Sequence, residues 1–241
     1  MANIFQKLNY HIRRILFEKY ALPKVRNENI SKVVFKRYLP AKPVIIDCGA
    51  HDGADTVQLA NLYNGQIHAF EPVESIFERL KKKTENYSSI ICYNIALSNK
   101  NGKQNFFVSE GKSDASSSLL EPKDHLRDHP DTFFEKQVLV DTLTLDSWAE
   151  NNNIKNVDLL WLDMQGFELN MLKASTIILP TVKVIHTEIS ITETYKDVPT
   201  YLEYESFLKS VGFEPIIKAV PKDYDMGNVL FVRNTERMKN K

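Results

Sequence analysis

The chain has 241 residues, 43% of them hydrophobic, which is enough to bury one sizeable core. Lys+Arg 31 balance Asp+Glu 31, so the basic excess of a generic nucleic-acid binder is missing, and the composition excludes a disordered chain. The balance is uneven along the chain: residues 1–43 carry ten Lys/Arg against Glu18 and Glu28, and the remainder is correspondingly acidic.

Cys48 and Cys92 fall in separate apolar runs, with neither the density of a disulfide scaffold nor the spacing of a zinc site. Buried free thiols in a cytoplasmic protein are expected. No run approaches the ~18 apolar residues of a membrane span, and the first residues lack a signal peptide's apolar stretch.

Residues 1–42 read as a basic segment apart from the domain that follows. Ile4, Phe5, Leu8, Ile12, Ile15, Leu16 and Tyr20 recur at helical spacing while Lys7, Arg13, Arg14 and Lys19 take other faces, which predicts an amphipathic basic helix over 4–20. Packing against the domain, or against another subunit of a homo-oligomer, is the preferred role. Peripheral contact with an anionic membrane, at the inner face of the cell membrane, and recognition of acidic glycans are the others.

From 43 to 233 short apolar runs alternate with amphipathic ones, the pattern of βαβ units and an α/β fold. Strands are predicted at 44–47, 67–70 and 90–94, the last continued by 95–98, with helices at 56–63 and 75–85. Strands at 104–108 and 136–140 flank a polar stretch, so that 104–140 reads as an inserted substrate or lid loop. His125 and His129 within it are taken as a solvated face. Alternation resumes with helix 143–151, strand 157–163, helix 168–174, strand 182–188 and helix 201–211. Segments 214–218 and 229–233 are expected to pair antiparallel, and 234–241 to be a frayed polar tail.

In open parallel sheets ligands bind beyond the carboxyl ends of the strands. There the first strand ends in Asp47-Cys48-Gly49-Ala50-His51-Asp52-Gly53, and the second ends in Glu71, eighteen residues past Gly53. A carboxylate at that distance is placed to accept hydrogen bonds from both hydroxyls of an adenosine ribose. The turn lacks the third glycine of a dinucleotide fingerprint, and Asp47 and Asp52 add negative charge where a pyrophosphate would lie. A ligand with a ribose, no phosphate and a positive centre suits these charges better, as S-adenosylmethionine does.

The ordered motifs VIIDCGAHDGADT (44–56), HAFEP (68–72), NIALS (94–98), VDTLTLDSW (140–148), LLWLDMQGFELNMLKA (159–174) and IHTEI (185–189) resemble the FkbM family of S-adenosylmethionine-dependent methyltransferases. The resemblance implies a class I methyltransferase, Rossmann-like fold: seven strands in the order 3-2-1-4-5-7-6, strand 7 antiparallel. It also implies O-methylation of a sugar, a glycan of a surface polysaccharide or glycoconjugate precursor, or a natural-product hydroxyl. By position, Asp47, Gly49, Ala50 and Gly53 would line the methionine half of the cofactor, Glu71 the ribose, and Asn94 and Ala96 the adenine. Where many relatives have Lys-x-Asp-x-Glu-Gly, this chain has Trp161-Leu162-Asp163-Met164-Gln165-Gly166.

A weakly acidic hydroxyl acceptor calls for a general base near the fourth or fifth strand. Asp163, itself also expected to touch the cofactor, and His186 are the candidates, with Glu188 on the same face as His186 to orient it or the substrate. Asp163 and Glu188 would alternatively hold a divalent cation, which is not the favoured reading. Ser116, Ser117 and Ser118, which resemble the family's Ser-rich segment, and Gln165 are expected at the acceptor. A nicotinamide-dependent oxidoreductase and a catalytically silent binding module are the competing functions.

Overall fold

The computed structural model describes residue 12, residues 29–220 and residues 226–239. The predicted amphipathic helix at 4–20 lies outside the described residues, apart from Ile12.

Ten strands are described: β1 (Val44–Cys48), β2 (Gln66–Phe70), β3 (Ile90–Tyr93), β4 (Ala96–Leu97), β5 (Gly102–Gly111), β6 (Thr132–Leu143), β7 (Leu159–Leu162), β8 (Val184–Ser190), β9 (Phe213–Ala219) and β10 (Met226–Arg233). The helices are α1 (Ala54–Leu62), α2 (Glu74–Thr84), α3 (His125–Asp128), α4 (Leu145–Asn151), α5 (Glu168–Lys173), α6 (Tyr201–Ser210) and α7 (Asn234–Lys239). The main sheet has seven strands in the order β3-β2-β1-β7-β8-β10-β9. Counted along the chain within that sheet, this is the 3-2-1-4-5-7-6 arrangement of class I methyltransferases, with β10 antiparallel to both neighbours.

Alternation along the central strands sorts side chains between two cores. Ile46, Leu160 and Leu162 face one apolar cluster with Trp148 of α4, while Ile45, Leu159 and Trp161 face another with Leu59 of α1. Ile30 and Phe35 join this second cluster. Phe35 lies in a short 3₁₀ helix, Lys32–Arg37, that the periodicity did not announce.

Helix ends follow local chemistry. Thr144 caps α4 by accepting from the Ser147 N–H, and Thr200 forms a reciprocal capping box with Glu203 at the start of α6.

Four expectations differ from the fold. Residues 95–98 do not extend β3: β4 leaves the main sheet and pairs with β6, forming a second sheet in the order β4-β6-β5. His125 is buried rather than solvated, its ring against Phe134 and Tyr195. The tail is helical through Lys239. Cys48 is buried and Cys92 only partly so, both thiols being free. Among the described residues no helix is long and apolar enough to cross a membrane.

Candidate functional site

The ends of β1, β2 and β7 converge on a cavity. After β1 the chain turns sharply: the N–H groups of Gly49 and Ala50 both donate to Phe70 O, at 3.1 and 2.9 Å. Gly49 has φ +82, and a Cβ there would stand 1.8 Å from Asp163 O. Only glycine lets this turn lie against the end of β7.

Glu71 reaches the cavity from the end of β2. Its Oε1 accepts from Val73 N–H at 2.8 Å and its Oε2 from His51 N–H at 3.2 Å. Burial raises its carboxyl to about 7, against the pull of those two donors. A carboxylate so fixed, with lone pairs remaining, matches the vicinal hydroxyls of a ribose.

Gly49, Ala50, Glu71, Ala96 and Asp163 of the expected cofactor residues line this cavity, with Ile76 and Leu97 as apolar wall. Asp47, Gly53 and Asn94 do not, contrary to the expectation of direct contact. Asp47 is buried behind the turn and accepts from Thr56 Oγ1 at 2.5 Å, and burial raises its carboxyl to about 7. Gly53 caps α1 in the left-handed conformation. Asn94 holds the bend after β2 by donating to Glu71 O and Pro72 O at 3.0 and 3.2 Å.

The insertion covers the same cavity: Phe106, Asp114, Ala115, Ser117 and Leu119 line it. Of the three serines expected at the acceptor only Ser117 does so. Ser118 Oγ donates to Gln165 O at 2.9 Å and Ser116 N–H to Ser109 Oγ at 2.9 Å, so both brace the loop.

A second, more polar cavity of about 630 Å³ opens beside the first. Trp161, Asp163 and Asp55 belong to both walls; His186 and Glu188 belong to the second. The three candidate catalytic residues therefore share one face, as alternation on β8 and its register with β7 require, Trp161 being paired with His186.

Gln165 links the carboxylates. Its Nε2 donates to Asp163 Oδ1 at 2.6 Å and to Glu188 Oε2 at 2.9 Å, while its Oε1 accepts from Tyr195 OH at 3.0 Å. Gln165 adopts φ +53, in the left-handed region. The amide N–H groups thus occupy the position that a cation shared by Asp163 and Glu188 would need.

Burial raises the Asp163 carboxyl above the usual range, against the Gln165 amide and with Asp55 adding to the rise. His186 lies flat on Trp161, with ring centroids 3.7 Å apart and planes 6° apart, and Phe35 packs at 5.9 Å. Burial, assisted by Lys32, pushes its imidazole down to about 3.

Composition and spacing did not single out Trp161, Asp55 or Lys32. Lys32 Nζ sits 4.4 Å above the Trp161 ring and donates to Asp55 Oδ1 at 2.6 Å. An aromatic residue two positions before Asp163 was the available signal for Trp161. Lys32 had none, since it reaches the site only through the fold.

The donor set fits S-adenosylmethionine: a fixed carboxylate for the ribose, and Asp163 and Asp55 near a positive centre. Among the described residues no group of three or more His, Cys, Asp or Glu stands where it would hold a metal ion.

Comparison with known proteins gives the same direction. The profile of the family described as "Methyltransferase FkbM domain" matches residues 47–215. The 2-O-methyltransferase NoeI of Sinorhizobium fredii (strain NBRC 101917 / NGR234) is 29% identical over 200 residues, covering 80% of each chain. Among solved structures, a putative rRNA-methylase from Clostridium thermocellum superposes with a TM-score of 0.52 at 11% identity, over 87% of this chain and 97% of that one. The fibrillarin pre-rRNA processing protein of Methanococcus jannaschii gives 0.50 at 13% identity, over 86% of this chain and 71% of that one. At such identities these two structures speak for the fold alone. The matched span runs from the last residues of β1 into β9 and takes in both cavities' strand-end carboxylates, so the chain belongs to the FkbM methyltransferase family and is an S-adenosylmethionine-dependent methyltransferase.

Proposed function

We propose that the methyl acceptor is a hydroxyl group of a sugar, in a glycan precursor or a related natural product, and that Asp163 is the base that takes its proton. The observation that carries this reading is the position of Asp163, whose carboxylate stands on the wall common to both cavities. The similarity to a 2-O-methyltransferase supports the choice of oxygen as acceptor atom.

S-adenosylmethionine, when bound, supplies an electrophilic methyl group on a sulfonium, a good leaving group. The protein's remaining tasks are to position a hydroxyl and remove its proton. Oδ1 of Asp163 is taken by the Gln165 amide, and we assign Oδ2 to the hydroxyl proton. The upward shift of Asp163 makes it a stronger proton acceptor than an ordinary aspartate. An imidazole held near 3 is a poor base at neutral pH, so of the two candidates His186 is left as a hydrogen-bond partner. Glu188, held by the same amide, is placed to accept from a neighbouring hydroxyl of the substrate.

Titration calorimetry with S-adenosylmethionine and S-adenosylhomocysteine tests the cofactor half, with Glu71→Ala as control. The expected result is binding that falls at least tenfold in the variant. Asp163→Asn is expected to retain S-adenosylhomocysteine binding while methyl transfer to sugar acceptors drops by roughly 10²-fold or more, the scale of general-base catalysis. Transfer undiminished in Asp163→Asn removes the assignment of the base.

A further inference from the structure

The two cavities draw on different parts of the chain. Every described residue lining the first lies between Cys48 and Phe167, inside the span 47–215 that matches the family. The second is lined also by Asn29, Ile30, Ser31, Lys32 and Val33, which precede that span. The shared span thus builds the cofactor cavity, and a segment outside it builds part of the neighbouring one.

That segment is set into the fold rather than laid over it. Phe35 is fully buried, its ring centroid 5.9 Å from those of both Trp161 and His186, and Ile30 is buried in the same apolar cluster. Lys32 O accepts from Tyr63 OH, and Lys32 Nζ donates to Asp55 Oδ1 at 2.6 Å and Gln58 Oε1 at 3.1 Å. These contacts tie the segment to β7, β8 and α1 at once. Ser31, between the two anchors Ile30 and Lys32, is exposed, and its side chain makes no capping bond to the 3₁₀ helix that it precedes. It lines the cavity without holding the wall together.

The strand ends supply the chemistry. Asp163 follows β7, His186 and Glu188 lie on β8, and Asn228 on β10 is paired in register with Glu188. His186 is held by its stack on Trp161, and its Nδ1 is enclosed with no hydrogen-bond partner. Buried polar atoms are nearly always paired, and an exception beside a cavity calls for an explanation. Carboxylates accept and an amide both donates and accepts, a set that suits a ring bearing several hydroxyls. At about 630 Å³ the cavity is also of the size of small-ligand sites, roughly 300–1,000 Å³.

We infer that this second cavity is the acceptor site and that residues 29–33 decide which acceptor it takes, with Ser31 as the specificity residue and His186 as a contact to the acceptor. Selection of the acceptor then resides outside the family's shared span, while the cofactor cavity and the base reside within it. The inference rests on the methyltransferase reading above and deepens it.

The test uses the full chain saturated with S-adenosylhomocysteine, with saturation-transfer NMR reading the binding of a panel of methyl hexopyranosides and hexose 1-phosphates. At least one sugar of the panel is expected to bind the wild type. Ser31→Trp, which fills the cavity from an exposed position, should weaken that binding roughly tenfold or more and leave S-adenosylhomocysteine affinity within about twofold of the wild type. His186→Phe keeps a ring on Trp161 and removes its nitrogens, and should weaken the sugar by about three- to tenfold, again with S-adenosylhomocysteine retained. Unchanged sugar binding in Ser31→Trp overturns the proposal, as does a wild type that binds S-adenosylhomocysteine and no sugar of the panel. Loss of S-adenosylhomocysteine in Ser31→Trp also overturns it, since the segment would then serve the cofactor cavity. Unchanged sugar binding in His186→Phe removes the contact assigned to His186. A wild type that fails to bind S-adenosylhomocysteine would instead overturn the cofactor reading, which keeps the two failures distinct.

Discussion

Gln165 Nε2 lies 2.6 Å from Asp163 Oδ1, and the same nitrogen reaches Glu188 Oε2 at 2.9 Å. One neutral amide therefore sets the spacing of two acids and counters the burial that raises Asp163. A glutamate at this position would bring a third acceptor in place of the donor. The proposed base, Asp163, is accordingly held by a residue that need not itself touch substrate.

Removing the amide should show in the pH profile. Gln165→Ala deletes the hydrogen bond that lowers Asp163, so its pKa climbs further. The proposed base must be ionised to act, and the acidic limb of kcat/KM should move to higher pH, with a loss of roughly 10 to 10²-fold at neutral pH. A variant whose profile coincides with the wild type in position, whatever its amplitude, would show that Gln165 does not tune the base.

Glu168 offers a stability prediction away from the cavities. It is fully buried on α5, accepts from Met164 N–H at 2.8 Å and Tyr204 OH at 2.9 Å, and burial raises its carboxyl from 4.5 to about 7. The folded state holds this proton more tightly than the unfolded one. Its contribution to stability is therefore complete below about 4.5 and is lost as pH rises through about 7. Glu168→Gln keeps the shape and removes the titration. Unfolding midpoints in urea at pH 5 and pH 8 should show the variant gaining on the wild type as pH rises, by on the order of 3 kcal/mol. A constant difference across that range would mean that Glu168 does not titrate on folding.

The readable and unreadable parts of this protein differ in the range of the contacts that decide them. The β1 turn and Glu71 were legible because glycine, strand period and an Asp/Glu spacing are local signals. His186 and Glu188 were placed on one face because side chains alternate along a strand, while Asp163 joins them only through the register of β7 with β8. The depth of His186 was not legible: it depends on Phe35, which arrives from the other end of the chain. The fate of residues 95–98 was hidden for a similar reason. The apolar run continues past β3, but Asn94 bends the chain toward Glu71 O, and β4 takes its partner from β6. Asp47 was expected at the cofactor because it shares a motif with Gly49 and Ala50, which do line the cavity; its own side chain is buried and accepts from Thr56.

The insertion is held over the cofactor cavity by a latch of partly exposed polar side chains. Asp114 Oδ1 pairs with His51 Nε2 at 2.8 Å and Oδ2 with Arg79 of α2, while Asp114, Ala115 and Ser117 line the cavity below. Solvent-exposed pairs contribute up to about 1 kcal/mol each, so the latch is too weak to matter for global stability and strong enough to slow opening. Asp114→Ala should leave the melting temperature within a few degrees of the wild type and weaken S-adenosylhomocysteine binding by roughly three- to tenfold, chiefly through faster dissociation in stopped-flow measurements. Because salt screens such pairs, the wild type should approach the variant as ionic strength rises. Equal dissociation rates for both proteins at low salt would show that the loop's apolar contacts, Phe106 and Leu119 among them, hold the cavity closed without the latch.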